Sequence, residues 1–290
     1  MKIREENSNL ILSGVTDFEL ADIFDCGQCF RWERVSDSSY FGVACGRALL
    51  LEKKDGELIF HGTSKEVFDS VWYRYFDFER DYAGIKVKLS ADPILSEAIG
   101  YGGGIRILRQ EPFETLISFI ISASNNIPRI KGIVERLCQN FGEKRSYMGK
   151  EYYSFPTAEQ IAALELSDLS VIRAGFRDKY ILGAARAVCE VTIDLDKVCL
   201  MSTADAKAEL MKLNGVGNKV SDCILLFGLG KCDSFPVDVW IKRIMEHCYF
   251  EGSEQTVPTI SAYAAEHFGE LGGFAQQYLF FWARENKIGV

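Results

Sequence analysis

The feature that most restricts the fold is a seven-residue turn, Leu213-Asn-Gly-Val-Gly-Asn-Lys219, set between two segments of helical periodicity, Thr203–Leu213 and Asn218–Leu229. Two glycines one residue apart tolerate positive φ and leave the backbone bare, so an anion can reach the amides directly. The helix that follows offers unpaired N–H groups and the positive end of its dipole. Gly215 and Gly217 alone describe an ordinary helix–helix turn as well as a phosphate grip. Lys219 separates the two readings. A cation in the first turn of a helix is disfavoured by the dipole, so a lysine there is explained better as an amine nucleophile than as a contribution to stability.

The second helix would run roughly 18 Å at ~1.5 Å per residue. Gly230-Lys-Cys-Asp-Ser-Phe-Pro-Val237 can span up to ~26 Å, enough to bring the chain back beside Lys219. A further helix, Val237–Tyr249, opens there with Asp238 in an N-cap-like place. Asp238 can cap that helix and still serve chemistry, because a carboxylate fixed at a helix start is an oriented anion.

The remaining sequence predicts an α+β fold. Residues 1–91 read as an antiparallel β domain, with strands at Asn9-Leu-Ile-Leu12, Cys29-Phe-Arg-Trp-Glu33, Tyr40-Phe-Gly-Val-Ala44, Ala48-Leu-Leu-Leu-Glu52 and Glu57-Leu-Ile-Phe60. Turn residues at Ser36-Asp-Ser-Ser39, Cys45-Gly46 and Lys54-Asp-Gly56 separate them, and a helix near Ser64–Phe76 covers one face. Residues 92–290 read as helical, with strand alternation ending at Asp92. Helices are expected at Pro112–Ser122, Pro128–Phe141, Thr157–Leu164, Ser167–Arg173, Arg177–Glu190 and Phe274–Lys287, besides the hairpin at about 203–230.

The formal charge of −8 argues against a broad basic face for nucleic acid, so any phosphate must be held locally, by amides and a few arginines. Nine scattered cysteines and no signal-like apolar run in Met1–Leu20 point to a reducing, cytoplasmic setting, on the nucleoid if the source is bacterial. Cys26-Gly-Gln-Cys29 has the spacing of half a metal or redox site, yet no second close pair and only three histidines exist to complete it. No metal is expected. No stretch approaches the ~20 apolar residues of a membrane span.

Leu213-Asn-Gly-Val-Gly-x-Lys-Val-x-Asp222 followed by Phe235-Pro-Val-Asp-Val239 resembles the helix-hairpin-helix, Gly/Pro-rich loop and Asp signature of DNA glycosylases. Cys26-Gly-Gln-Cys-Phe-Arg-Trp32, Ile105-Arg-Ile-Leu-Arg-Gln-Glu-Pro112, Ser124-Asn-Asn-Ile-Pro-Arg129, Gly175-Phe-Arg177 and Ala275-Gln276 with Phe280 narrow the resemblance to the 8-oxoguanine DNA glycosylase/lyase family. The iron–sulfur endonuclease branch carries a four-cysteine cluster near its C-terminus, and no cysteine follows Cys248 here.

The resemblance implies an N-terminal antiparallel β-sheet domain followed by two all-helical subdomains, with the hairpin at their junction. It also implies a monomer acting on duplex DNA that carries 8-oxoguanine opposite cytosine, without cofactor or membrane. Lys219 would attack C1′ and Asp238 would steady the cationic sugar. The Gly27 carbonyl would accept the N7–H that distinguishes the lesion. Cys223 and Phe280 would sandwich the base, with Gln276 on its Watson–Crick edge. Gly215, Gly217 and Val220 would grip phosphate, Arg129 and Arg177 would read the orphaned cytosine, and Phe176 would wedge beside it. Asn125 either contacts the distorted strand or belongs to the helix break before Pro128.

Two positions depart from the family pattern. Ser124 stands where eukaryotic members have an Asn, and Trp240 where a phosphate-contacting His is usual. Taken singly, Cys223 and Phe280 read as core residues, Gln276 as a surface amide, and the arginines as members of surface ion pairs. An oxidised pyrimidine or alkylated purine as substrate, or a helix-hairpin-helix module that only grips DNA, are the competing readings.

Overall fold

The computed structural model describes residues 1–288. Strands β1 (Lys2–Glu6), β2 (Asn9–Ser13), β3 (Trp32–Ser36), β4 (Ser39–Ala44), β5 (Arg47–Lys54) and β6 (Glu57–Phe60) form one antiparallel sheet in the order β1-β2-β6-β5-β4-β3. Its tight turns are Asn7-Ser8, Cys45-Gly46 and Asp55-Gly56, each with both residues at positive φ, the geometry that follows the natural twist of a hairpin. One face packs an aromatic core that includes Trp32, Tyr40, Phe60, Phe68, Trp72 and Phe76. The helical segment spanning Lys65–Val67, Phe68–Trp72 and Tyr73–Tyr75 supplies its lid. Trp32 lies across its cross-strand partner Gly42, where a Cβ would stand 2.1 Å from the indole.

Helices downstream pack in two groups. Pro112–Ser122, Ile127–Phe141, Asp178–Cys189, Thr203–Leu210 and Asn218–Phe227 make the first. Tyr82–Leu89, Pro93–Tyr101, Val239–Tyr249, Val257–Phe268 and Gly272–Asn286 make the second. The hairpin and the loop after it carry the chain from one group to the other.

Several expectations need correction. β1 was not foreseen, because Lys-Ile-Arg-Glu-Glu is a charged and mostly exposed edge strand without apolar alternation. Cys29–Arg31 is loop, and strand begins only at Trp32. Strand does not end at Asp92: β7 (Lys144–Tyr147) and β8 (Lys150–Tyr153) form a second hairpin, turning at Met148-Gly149. Its polar strands hid it from a search for buried faces. It ties the helical region to the sheet, with the Tyr147 hydroxyl donating to the His61 carbonyl and accepting from the Leu50 amide, and Arg145 donating to Gly46 at 2.8 Å. Ser167–Arg173 tightens to a 3-10 turn at Asp168–Ile172. The short Leu20–Phe24 helix and Val257–Phe268 were missed.

Candidate active site

Gly215 has φ +91°, and a Cβ there would sit 2.7 Å from the Tyr180 ring, so the turn admits only glycine. Gly217 occupies the N-cap of Asn218–Phe227 with no side-chain cap, and nothing stands within 4 Å of where its Cβ would be. The first amides of that helix are therefore left to an outside acceptor. Val220 is buried, which leaves its amide and not its side chain for such a contact. Lys219, in the same first turn, places Nζ 5.2 Å from the centre of the Phe119 ring, which is itself stacked on Phe227. One helical turn on, burial pushes the Cys223 thiol up to about 11, with the nearby Lys219 amine acting in the opposite direction.

The return loop is braced on two sides. Ser234 Oγ donates to the Asp222 carbonyl at 3.1 Å, and the Asp222 carboxylate receives Lys207 Nζ at 2.8 Å. Burial pushes the Asp222 carboxyl up while Lys207 opposes it. On the other side the Gly273 amide donates to Cys232 at 2.7 Å, and Phe235 stacks on Phe268. A Cβ on Gly273 would meet Leu226 at 2.3 Å, so this close approach requires glycine. The loop delivers Asp238 to the N-cap of Val239–Tyr249, where Oδ1 accepts the Ile241 amide at 2.8 Å.

Lys219 and Asp238 line one narrow cleft of about 40 Å³ at the seam between the two helix groups. Phe119 and Cys223 flank it from the first group, and Gln276, Gln277 and Phe280 from the second. Gly27 enters from the loop between Leu20–Phe24 and β3. Its φ is +82°, and the Phe280 ring lies 3.3 Å from where its Cβ would be, so Phe280 rests on Gly27 and nearly closes the cleft. Gln28, fully buried, fixes this loop: Nε2 donates to Ile23 and Arg106, Oε1 accepts the Leu108 amide, and its own carbonyl accepts Gln110 Nε2.

A second cluster lies at the break between Pro112–Ser122 and Ile127–Phe141. Ser124 is exposed at φ +49°, Asn125 Nδ2 donates to the Ile121 carbonyl at 3.0 Å, and Asn126 caps the next helix by accepting the Arg129 amide. The side chains of Arg129 and Phe176 are exposed. Arg177 is not the available guanidinium that its expected role suggests. It is 2% exposed and donates to the carbonyls of Ala123, Ser124 and Ala174, stacking over Phe176 at 4.3 Å. Trp240, half-buried, stands in the first turn after Asp238 with Arg243 over its ring.

Sequence reading did not single out Gln28, Asp222, Ser234 or Gln277 for these parts. Asp222 left a signal, as an acid three residues after Lys219 within an apolar run. Gln28 and Gln277 left none, since an amide shows its burial only once the chain is folded.

A bare-amide hairpin facing a cleft that holds an amine and a helix-capping carboxylate suits an enzyme acting on a phosphate-bearing polymer, and comparison with known sequences says which. Residues 117–268 match the model of the HhH-GPD superfamily of base excision DNA repair proteins, and the chain belongs to that superfamily. Residues 10–116 match the N-terminal domain of 8-oxoguanine DNA glycosylase. The chain is 30% identical to a probable N-glycosylase/DNA lyase of Methanothermobacter thermautotrophicus, over 78% of its own length and 77% of the relative's. A solved structure of the Clostridium acetobutylicum 8-oxoguanine glycosylase/lyase, in complex with double-stranded DNA containing cytosine opposite 8-oxoG, is 42% identical. It covers 99% of each chain with a TM-score of 0.96. MBOgg1, solved with a low-affinity DNA ligand, is 45% identical with the same coverage and TM-score. The six-stranded sheet followed by a mostly helical region is the architecture of this family.

Proposed function

We propose that this protein excises 8-oxoguanine from duplex DNA and then cleaves the backbone at the resulting abasic site. The observation that carries the reading is the convergence of Lys219, Asp238 and the Gly27 loop on one cleft beside uncapped helix amides. The hairpin amides at Gly217 and Val220, with Gly215 shaping the turn, hold a phosphate. The nucleotide leaves the stack, since C1′ is shielded within the duplex, and Phe280 swings from Gly27 to admit the base against Cys223. Gln276 meets its Watson–Crick edge. The Gly27 carbonyl accepts N7–H, whereas guanine offers a lone pair there and is repelled, a discrimination on the order of 1–3 kcal/mol.

Lys219 Nζ forms a bond to C1′ as the bond to the base breaks, while Asp238 stabilises the positive charge that develops on the sugar. Loss of the ring oxygen from C1′ gives a Schiff base, and removal of a C2′ proton expels the 3′ phosphate. Around the opposite base, Arg129 is the exposed guanidinium, Phe176 the wedge, and Arg177 the brace that holds the Ala123–Ser124 backbone in place. Trp240 lies where an indole N–H can meet the phosphate next to the site. The chain acts as a monomer opposite cytosine.

A panel of duplexes carrying 8-oxoguanine, an oxidised pyrimidine or an alkylated purine, each opposite all four bases, tests this. Excision of 8-oxoguanine opposite cytosine at least tenfold faster than the other lesions is expected. Preference for a non-purine or an alkylated base overturns the substrate, and binding without excision of any lesion overturns the enzyme.

A further inference from the structure

Gln277 is 3% exposed, lines the cleft beside Gln276, and donates from Nε2 to Gln276 Oε1 at 2.7 Å. Its own Oε1 is buried without a hydrogen-bond partner. A buried acceptor left unpaired is costly and uncommon, and in a native fold such an atom calls for an explanation. Here the explanation is its position. The side chain belongs to a wall of the cleft that Phe280 covers against Gly27, so a base entering that cleft comes beside it.

We propose that Gln277 is a second reader of the extruded base, and that its Oε1 accepts an N–H from the edge of a guanine-type purine. The proposal rests on the substrate reading above. At its N1–C2 end a guanine-type edge carries two neighbouring donors, N1–H and the 2-amino group, whereas an adenine-type edge has a bare N1 and no 2-amino group there, its one donor being the 6-amino group at the opposite end. The mutual bond of the two glutamines adds a constraint. Whichever way the paired amides are turned, that bond occupies one N–H and one lone pair of one carbonyl, so the pair keeps one wholly free carbonyl as an acceptor, beside three N–H donors. A base without a donor at the N1–C2 end leaves the acceptor buried and unpaired in the closed complex. Gln277 thus selects for guanine-type lesions among purines that share the N7–H read by Gly27.

The test is single-turnover excision of 8-oxoguanine and of 8-oxoadenine, both opposite cytosine, alongside cleavage of a preformed abasic site. The proteins compared are the wild type, Gln277→Met, Gln276→Met and the double variant. Gln277→Met is expected to slow 8-oxoguanine excision roughly tenfold or more. Its 8-oxoadenine and abasic-site rates should stay within about twofold, which also reports an intact fold, and the double variant should discriminate less than Gln276→Met alone. Gln277→Glu keeps an acceptor oxygen and is expected to retain the preference for 8-oxoguanine even where it slows both reactions. Equal losses on all three substrates, no loss on any, or a double variant no different from Gln276→Met overturns the proposal and reduces Gln277 to a support for its neighbour. A wild-type protein that leaves 8-oxoguanine intact overturns the substrate reading and this proposal with it.

Discussion

Gly27 meets two demands at once, a φ of +82° and a Phe280 ring 3.3 Å from where a Cβ would project. Gly27→Ala should therefore strain the loop and hold Phe280 off its resting place, costing on the order of 1–2 kcal/mol in stability. Excision of 8-oxoguanine should fall more than cleavage of a preformed abasic site, and thermal denaturation with single-turnover assays checks both. Glu114 shows a different effect of burial. Its carboxyl is pushed up to about 7, chiefly by burial, with Arg31 at 3.8 Å opposing the shift. The folded state thus holds a proton that the unfolded chain releases near 4.5. This contribution is fully present below the unfolded value and is lost as pH rises through about 7. Denaturant titrations should show wild-type stability declining between those limits relative to Glu114→Gln, by on the order of 1–3 kcal/mol. Parallel pH profiles for the two proteins contradict it.

Among the elements, the hairpin helix and its return loop work as one unit through Asp222, whose carboxylate accepts Lys207 on the preceding helix and, at 3.3 Å, Ser234 on the loop, which also donates to the Asp222 backbone carbonyl. Asp222→Ala should cost on the order of 1–3 kcal/mol, because Lys207 loses its partner and Ser234 keeps only its bond to the backbone carbonyl. Abasic-site cleavage should fall as well, since Lys219 and Asp238 lose their common brace. A variant with unchanged midpoint and activity refutes this. Elements with an apolar stripe or a full turn signature were legible in the sequence. Asn218–Phe227 and Pro112–Ser122 were found, and the eight residues Gly230–Val237 were long enough to return the chain to Lys219. β1 and the β7–β8 hairpin were not, because their exposed charged and polar residues carry no period that burial would impose. The site followed the same rule. Lys219 and Asp238 stand at capped or turning positions that leave a local mark. Gln28 and Arg177 act through long-range bonds to carbonyls, which no local pattern records.

Over the whole molecule, three distant stretches meet at one seam: the loop at Gly27, the hairpin helix at Lys219 and the helix at Gln276. The two helix groups supply opposite walls, with Lys219 and Cys223 on one and Gln276 and Phe280 on the other. This arrangement also reconciles a net charge of −8 with a DNA substrate. A phosphate held by uncapped amides at Gly217 needs no broad basic surface. The central claim is that the amine at the start of the hairpin helix attacks the damaged nucleotide. Reduction with borohydride during turnover of an 8-oxoguanine duplex tests it most directly, because hydride converts the Schiff base into a stable amine linkage. The wild-type protein should become covalently joined to the DNA, and Lys219→Gln should yield no adduct while still binding the duplex. Undiminished trapping by Lys219→Gln would show that another amine is the nucleophile.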